Sequence, residues 1–238
     1  MNIWLAIGGV ELSPTLVTSL MVFAVLITFF IFCGMTIKRA DPRKPSTGFM
    51  AVIEFVYNSA LGFVTSNVNP EATRFVPYIL TVASYLAVAN LVGLFGLVPP
   101  VTNISITLSL TLVTLVYIMV SGIRSKGLGS YLKDTYVGDV PKIMLILFIP
   151  VNIVGEVSKI ISLTFRLFGN MVSGMLLVAL LMQLVVFFFD LLPAVGWIPG
   201  LLIPFLNAYF DVFAGLMQTF IFCTLSMVWM KAAVERQT

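Results

Sequence analysis

The sequence predicts an all-α membrane protein: about five membrane-embedded helices plus one interfacial amphipathic helix, with the last two embedded helices long and strongly tilted. Three observations carry this reading. Hydrophobic residues fill 60% of the 238 positions and charged residues only 10%, where a soluble domain carries about 25% charged residues. Apolar runs of spanning length recur along the chain. The few Lys and Arg residues cluster at one set of connections. Neither an internal repeat nor a low-complexity linker interrupts the chain, so residues 1–238 read as a single integral membrane domain.

The elements follow in order. Met1–Leu12 contains no Lys or Arg, so no signal-peptide n-region is expected there. Spanning runs are expected at about 13–37, 75–98 and 104–123. Between the first two, Ser46 to Asn69 interleaves Glu54, Tyr57, Asn58, Ser59 and Asn67 with Phe49, Val52, Ile53, Val56 and Leu61. That mixture suits a helix lying at the membrane surface. A polar connection is expected from Arg124 to Lys142, followed by apolar regions at Lys142–Phe189 and Trp197–Val234. As one helix, Met144–Phe189 is roughly 70 Å long, about twice the hydrocarbon thickness. A fold-back near Gly169 would leave unpaired backbone groups in lipid, so a continuous, steeply tilted helix is expected, with Pro150 the one residue able to break it early.

Charge orients the chain. Lys38, Arg39, Arg43 and Lys44 follow the first run, Arg124, Lys126, Lys133 and Lys142 the third, and Lys231 and Arg236 sit at the C-terminus. The connections Pro99–Thr102 and Asp190–Gly196 carry no Lys or Arg. The positive-inside rule therefore puts the C-terminus in the cytoplasm (or matrix) and the N-terminus on the opposite side. Histidine is absent, which excludes a His-ligated metal, His-ligated haem or a His proton relay within this chain. Cys33 and Cys223 lie in apolar runs and read as small packing residues. No cofactor is expected.

Arg166 is the most informative residue. It lies within Leu163-Thr-Phe-Arg-Leu-Phe-Gly-Asn-Met171, and a permanent charge at membrane depth costs at least ~2.5–3.5 kcal/mol on insertion scales. The alternatives are a functional charge facing water or a partner, and an ion pair, for instance with Glu156. Asn152, Glu156, Lys159, Ser162, Arg166, Asn170 and Ser173 recur every three or four residues and form one stripe. Asn207, Asp211 and Gln218 form a thinner one. Interhelical glue is the structural reading of such groups. Aligned polar groups of both charge signs fit water-filled paths for ions better. Glu156 and Lys159, at i and i+3, read either as a pair with each other or as charges lining a path.

Arg166-Leu-Phe-Gly-Asn170, together with Gln218-Thr-Phe-Ile-Phe222, resembles subunit a of the F-type ATP synthases. So do Asn90-Leu-Val-Gly93 and Pro99-Pro-Val-Thr-Asn103 ahead of a Thr/Leu-rich helix, and the resemblance covers most of the chain. It implies a membrane stator whose two near-horizontal helices lean against a ring of c subunits. The implied partners are that c-ring, the peripheral-stalk b subunits, membrane lipid and protons or Na⁺, with no nucleic acid. ATP chemistry would belong to other subunits. On this resemblance Arg166 matches the essential stator arginine, Asn170 the asparagine of the non-cytoplasmic half-channel, and Gln218 the glutamine facing the arginine. Lys159 and Ser162 match polar positions on the cytoplasmic approach. Many relatives place a Glu five residues after the asparagine and a His seven before the glutamine. Here those positions hold Met175 and Asp211, a single acid in place of a pair. The form of the arginine motif implies a bacterial plasma membrane, with an organelle or thylakoid membrane as the alternative. A secondary ion transporter using Arg166, Asp211 and Glu156 is the other reading, although internal repeats and broken midplane helices are missing from the sequence.

Overall fold

The computed structural model describes residues 5–7, 10–39, 48–68, 72–137, 144–191 and 197–234. Arg43, Lys44, Lys142 and Arg236, the start of the surface segment at Ser46, and 192–196 of the Asp190–Gly196 connection lie outside the described residues. An antiparallel hairpin, β1 (Leu5–Ile7) and β2 (Val10–Leu12), opens the chain, with Ala6 opposite Glu11. All the rest of the regular structure described is helical.

Helix α1 (Pro14–Arg39) ends with Lys38 and Arg39 in its last turn, where cations complement the helix dipole. Helix α2 (Phe49–Asn67) follows. A 3₁₀ turn at Ala72–Phe75 leads into α3 (Val76–Leu91), which tightens into another at Val92–Phe95. Gly96, at φ 72°, stops that turn by donating its N–H to the Gly93 carbonyl at 2.9 Å. After a 3₁₀ turn at Pro100–Thr102, Asn103 accepts from the Ser105 N–H at 2.9 Å and caps α4 (Ile104–Lys126). Helix α6 (Leu145–Leu191) runs for 47 residues straight through Pro150, with no fold-back at Gly169. The last apolar region departs from a single regular helix: α7 (Trp197–Ala208) and α8 (Gly215–Val234) are joined by a π-helical turn at Tyr209–Ala214.

Among the described residues, six helices are long and apolar enough to cross a membrane, one of them the α7–α8 region counted as a single run. This count includes α2, whose mean hydropathy of 1.3 is the lowest of the six. The segment expected as a polar connection after Arg124 is instead structured. Gly127, at φ 82°, turns the chain into α5 (Leu128–Leu132) and a π turn at Lys133–Val137. Its anchors are a buried Tyr131 and an ion pair, which polarity alone does not reveal.

The chain packs as two compact units, and α6 contributes to both. One comprises the described residues of Met1–Ala24, Tyr85–Thr107 and Thr164–Phe220. Within it Ser19 and Tyr85 share a hydrogen bond of 3.1 Å between their hydroxyls, Phe23 stacks on Tyr85, and Asn103 donates to Thr15 at 3.1 Å. The other comprises the described residues of Val25–Ser84, Leu108–Leu163 and Ile221–Thr238. Its core gathers Val64, Phe75, Val76, Ile79, Ile118, Met227 and Met230, and Tyr78 stacks on Tyr117 at 4.2 Å. Both cysteines are free and buried, as packing residues should be.

Candidate functional site

Arg166, Asn170, Asp211 and Gln218 belong to the first unit. There α6 buries Leu167, Met171 and Gly174, a seam at helical spacing, and Arg166 lies one position off that seam, exposed. Among the described residues it has no ion pair, and Glu156, the partner considered above, is bonded to Lys159. Next to Arg166, Gly169 has open space where a side chain would stand.

Asn170 turns inward. Its Nδ2 donates to the Ala214 carbonyl at 3.3 Å, the last of the π turn. A π turn shifts the hydrogen-bond ladder by one residue, and such turns recur at functional positions. Asp211 sits within the same turn. Asn170, Met175 and Asp211 line one small cavity of about 30 Å³ with Gly174 and Phe210, about the room one water occupies. The two positions where relatives would carry an acid and a histidine are thus brought together by the fold. Asp211 also lies against Gly93. A Cβ at that glycine would stand 2.7 Å from one Asp211 carboxylate oxygen and 2.9 Å from the other.

Gln218 is buried, 5% exposed, and its Nε2 has no hydrogen-bond partner among the described residues. Asn90 is buried nearby in the same unit. Its Nδ2 donates to the Gly215 carbonyl at 2.9 Å and lies 3.5 Å from Thr219 Oγ1, while its Oδ1 is unpaired among the described residues. Gly215 is needed there, since a Cβ would fall 2.7 Å from the Asn90 Cβ. Asn207 lies in α7, and its side chain is outside the described part.

Glu156, Lys159 and Ser162 belong to the second unit. Glu156 Oε1 accepts from Lys159 Nζ at 2.5 Å, and Lys159 also lies 5.9 Å from the centre of the Trp229 ring. Both line an open cavity of about 450 Å³ with Lys126, Tyr131, Asp134, Tyr136 and Asn152. Lys126, its side chain only 2% exposed, is neutralised by Asp134 at 3.1 Å. Burial, with the Glu156 charge behind it, raises the Tyr131 phenol above its ordinary value, so it stays a neutral hydroxyl. Ser162 is exposed on α6 and does not line this cavity.

A family model described as "ATP synthase A chain" matches residues 16–231. The chain belongs to that family. Among its relatives, ATP synthase subunit a of Mycoplasma pneumoniae is 30% identical over 215 residues, covering 86% of this chain and 73% of that one. The subunit a of Mycoplasma genitalium is 31% identical, covering 86% and 74%. That of Rubrobacter xylanophilus is 29% identical over 236 residues, covering 98% and 88%. Family and helices together make the chain a multi-pass membrane component of an F-type ATP synthase.

Within this ATP synthase component the fold divides the sequence-derived residues. Arg166, Asn170, Asp211 and Gln218 fall in one unit, and Glu156, Lys159 and Ser162 in the other. Sequence reading missed Gly93 and Gly215, whose lack of a side chain admits Asp211 and Asn90. It also missed Lys126, Asp134 and Tyr131, which lay in a stretch read as a connection. Lys126 and Asp134, eight residues apart across Gly127, were the available signal.

Proposed function

We propose that this chain is the stator half-channel subunit of a rotary F-type ATP synthase. It conducts protons (or Na⁺) to and from the carboxylates of a c-ring and couples the ion gradient to rotation. It makes and breaks no covalent bond; ATP chemistry belongs to other subunits. The observation that carries this reading is the exposed Arg166, which has no acidic partner among the described residues. A permanent cation in an apolar helix needs an anion from outside the chain, and the ring carboxylate is that anion.

The chemistry follows from desolvation. A ring carboxyl facing lipid stays neutral because a bare carboxylate in hydrocarbon is too costly. Beside Arg166 the anion is stabilised, and its ion leaves toward one side. Past the arginine the carboxylate reloads from the other side. The fixed positive charge also blocks a direct leak of cations between the two paths. A membrane potential supplies about 2.3 kcal/mol per charge per 100 mV.

The cavity at Asn170, Met175 and Asp211 and the unpaired buried amide ends of Asn90 and Gln218 support a wet entry path on the non-cytoplasmic side, in which Asn207 also takes part. Buried polar atoms require partners, and a hydrated path provides them. The cavity at Glu156 and Lys159, with Ser162 further along α6, supports the exit path. Around Arg166 and before it, Val154, Ile161 and Phe165 of α6 are 63%, 52% and 57% exposed. A partner covers that face, and Gly155, Ser162 and Gly169 at spacings of seven let a ring helix come close. Peripheral-stalk b subunits and lipid cover the remainder. The chain sits in a bacterial plasma membrane with its N-terminus outside and C-terminus cytoplasmic, as one domain.

Arg166→Ala should abolish ion-driven ATP synthesis in inverted vesicles while the complex still assembles. Arg166→Lys should fail as well, since an ammonium lacks the planar fork and loses its proton when desolvated. Near-normal synthesis in either variant overturns the assignment.

A further inference from the structure

A second groove lies in the same unit as the Glu156–Lys159 cavity and shares only Leu112 and Val116 with it. Arg74, Phe75, Leu112, Val116, Val120 and Arg124 line most of it, and its volume is about 700 Å³. Leu112, Val116, Val120 and Arg124 follow one another at intervals of four, so they form a single row along α4. From Leu112 to Arg124 that row is roughly 18 Å long, close to one leaflet of a hydrocarbon core about 30 Å thick.

The polar end is built with care. Arg74 Nη2 donates to Ser125 Oγ at 2.6 Å, which brings the start of α3 beside the end of α4. Both guanidiniums therefore stand at the same end of the groove. The Arg74 guanidinium also lies 4.8 Å from the centre of the buried Phe75 ring, which is held edge-on by Tyr117. Neither arginine has an acidic partner among the described residues. Below them the lining is apolar apart from Ser121 and the Tyr117 hydroxyl, and Val113 and Val116 are 64% and 52% exposed.

We infer that this groove is a binding site for one anionic phospholipid. Its phosphate sits between Arg74 and Arg124, and one acyl chain lies along the Leu112–Val120 row. Guanidinium groups match phosphate oxygens in pairs, and basic pockets between transmembrane helices hold anionic head groups. A zwitterionic lipid would set an ammonium beside two like charges. A free anion would leave the apolar trough unused.

The test uses the intact detergent-solubilised complex and phosphatidylglycerol bearing a photoreactive group in its acyl chain. Label should map to the peptide holding Val113–Arg124, and unlabelled phosphatidylglycerol should compete at least tenfold better than phosphatidylcholine. Arg74→Gln with Arg124→Gln should weaken labelling by roughly fivefold per arginine, about 25-fold together. Val120→Trp, which keeps both charges and fills the trough at a residue the Glu156–Lys159 cavity does not use, should abolish it. Equal competition by phosphatidylcholine, displacement by inorganic phosphate, or label elsewhere would overturn the proposal. So would a peripheral-stalk peptide captured by a photoreactive residue at position 113, which lines this groove and not that cavity, because protein would then cover it. If the double variant fails to assemble, the competition in the unaltered complex decides.

Discussion

Gly93→Ala should slow ion flux by displacing Asp211. The new Cβ would stand 2.7, 2.8 and 2.9 Å from the three carboxylate atoms of Asp211, where ordinary contact begins at 3.4 Å. The carboxylate must therefore retreat by about 0.5–0.7 Å, the difference between those distances. Because the obstructed group is the end of a side chain, the fold should lose no more than about 1 kcal/mol. The cavity it lines holds only about 30 Å³, so that retreat redraws most of one wall. Misplacements near 1 Å cost up to about 100-fold where geometry matters, so a flux loss of roughly three- to tenfold is expected. The assay is ion flux in vesicles reconstituted with the complex, with assembly checked on native gels. The decisive comparison is a double-mutant cycle: in an Asp211→Ala background, Gly93→Ala should add little further loss. Full flux in Gly93→Ala, or losses that simply multiply in the double variant, would refute the argument that Gly93 acts through Asp211.

Lys159→Gln alone should strand the Glu156 carboxylate in a half-wet cavity and destabilise the complex by about 1–2 kcal/mol, between the values for exposed and buried pairs. Glu156→Gln with Lys159→Gln should restore assembly yet slow flux in low-salt vesicles; unchanged flux would make the pair structural and shift the exit role to Ser162. Gly122→Ala places a Cβ 2.6 Å from the Tyr131 ring and 3.0 Å from the Ala233 carbonyl. The corner around α5 should lose about 1–3 kcal/mol, read as a lower dissociation temperature of the complex, and an unchanged temperature would contradict that packing.

Much of this fold was legible because bilayer physics leaves few choices. The long apolar runs, the unbroken α6 and the inability to end a helix at Gly169 all follow from the need to pair every backbone group in lipid. The polar stripe of α6 was legible from its spacing. What escaped were features set by close approach. The π turn at Tyr209–Ala214 leaves no mark in apolar composition, although it positions Asp211 and offers the Ala214 carbonyl to Asn170. Gly93 stood only at the end of the Asn90–Gly93 motif and Gly215 was not singled out, because their importance lies in the neighbours that occupy their missing side chains. The Arg124–Lys142 stretch read only as a polar connection, since composition does not show which of its charges pair. Once Lys126 is paired with Asp134, a buried lysine becomes tolerable.

The central claim is that the exposed side of α6 around Arg166 meets a ring carboxylate, and oxidative cross-linking tests it most directly. Single cysteines at Ser162 and Gly169 lie on that open side, whereas cysteines at Leu167 and Met171 lie on the buried seam. Each would be combined with a cysteine beside the carboxylate of the ring subunit in assembled complexes. The account predicts cross-links from positions 162 and 169 and none from 167 and 171. Cross-links from the buried seam instead, or none from either side, would contradict it.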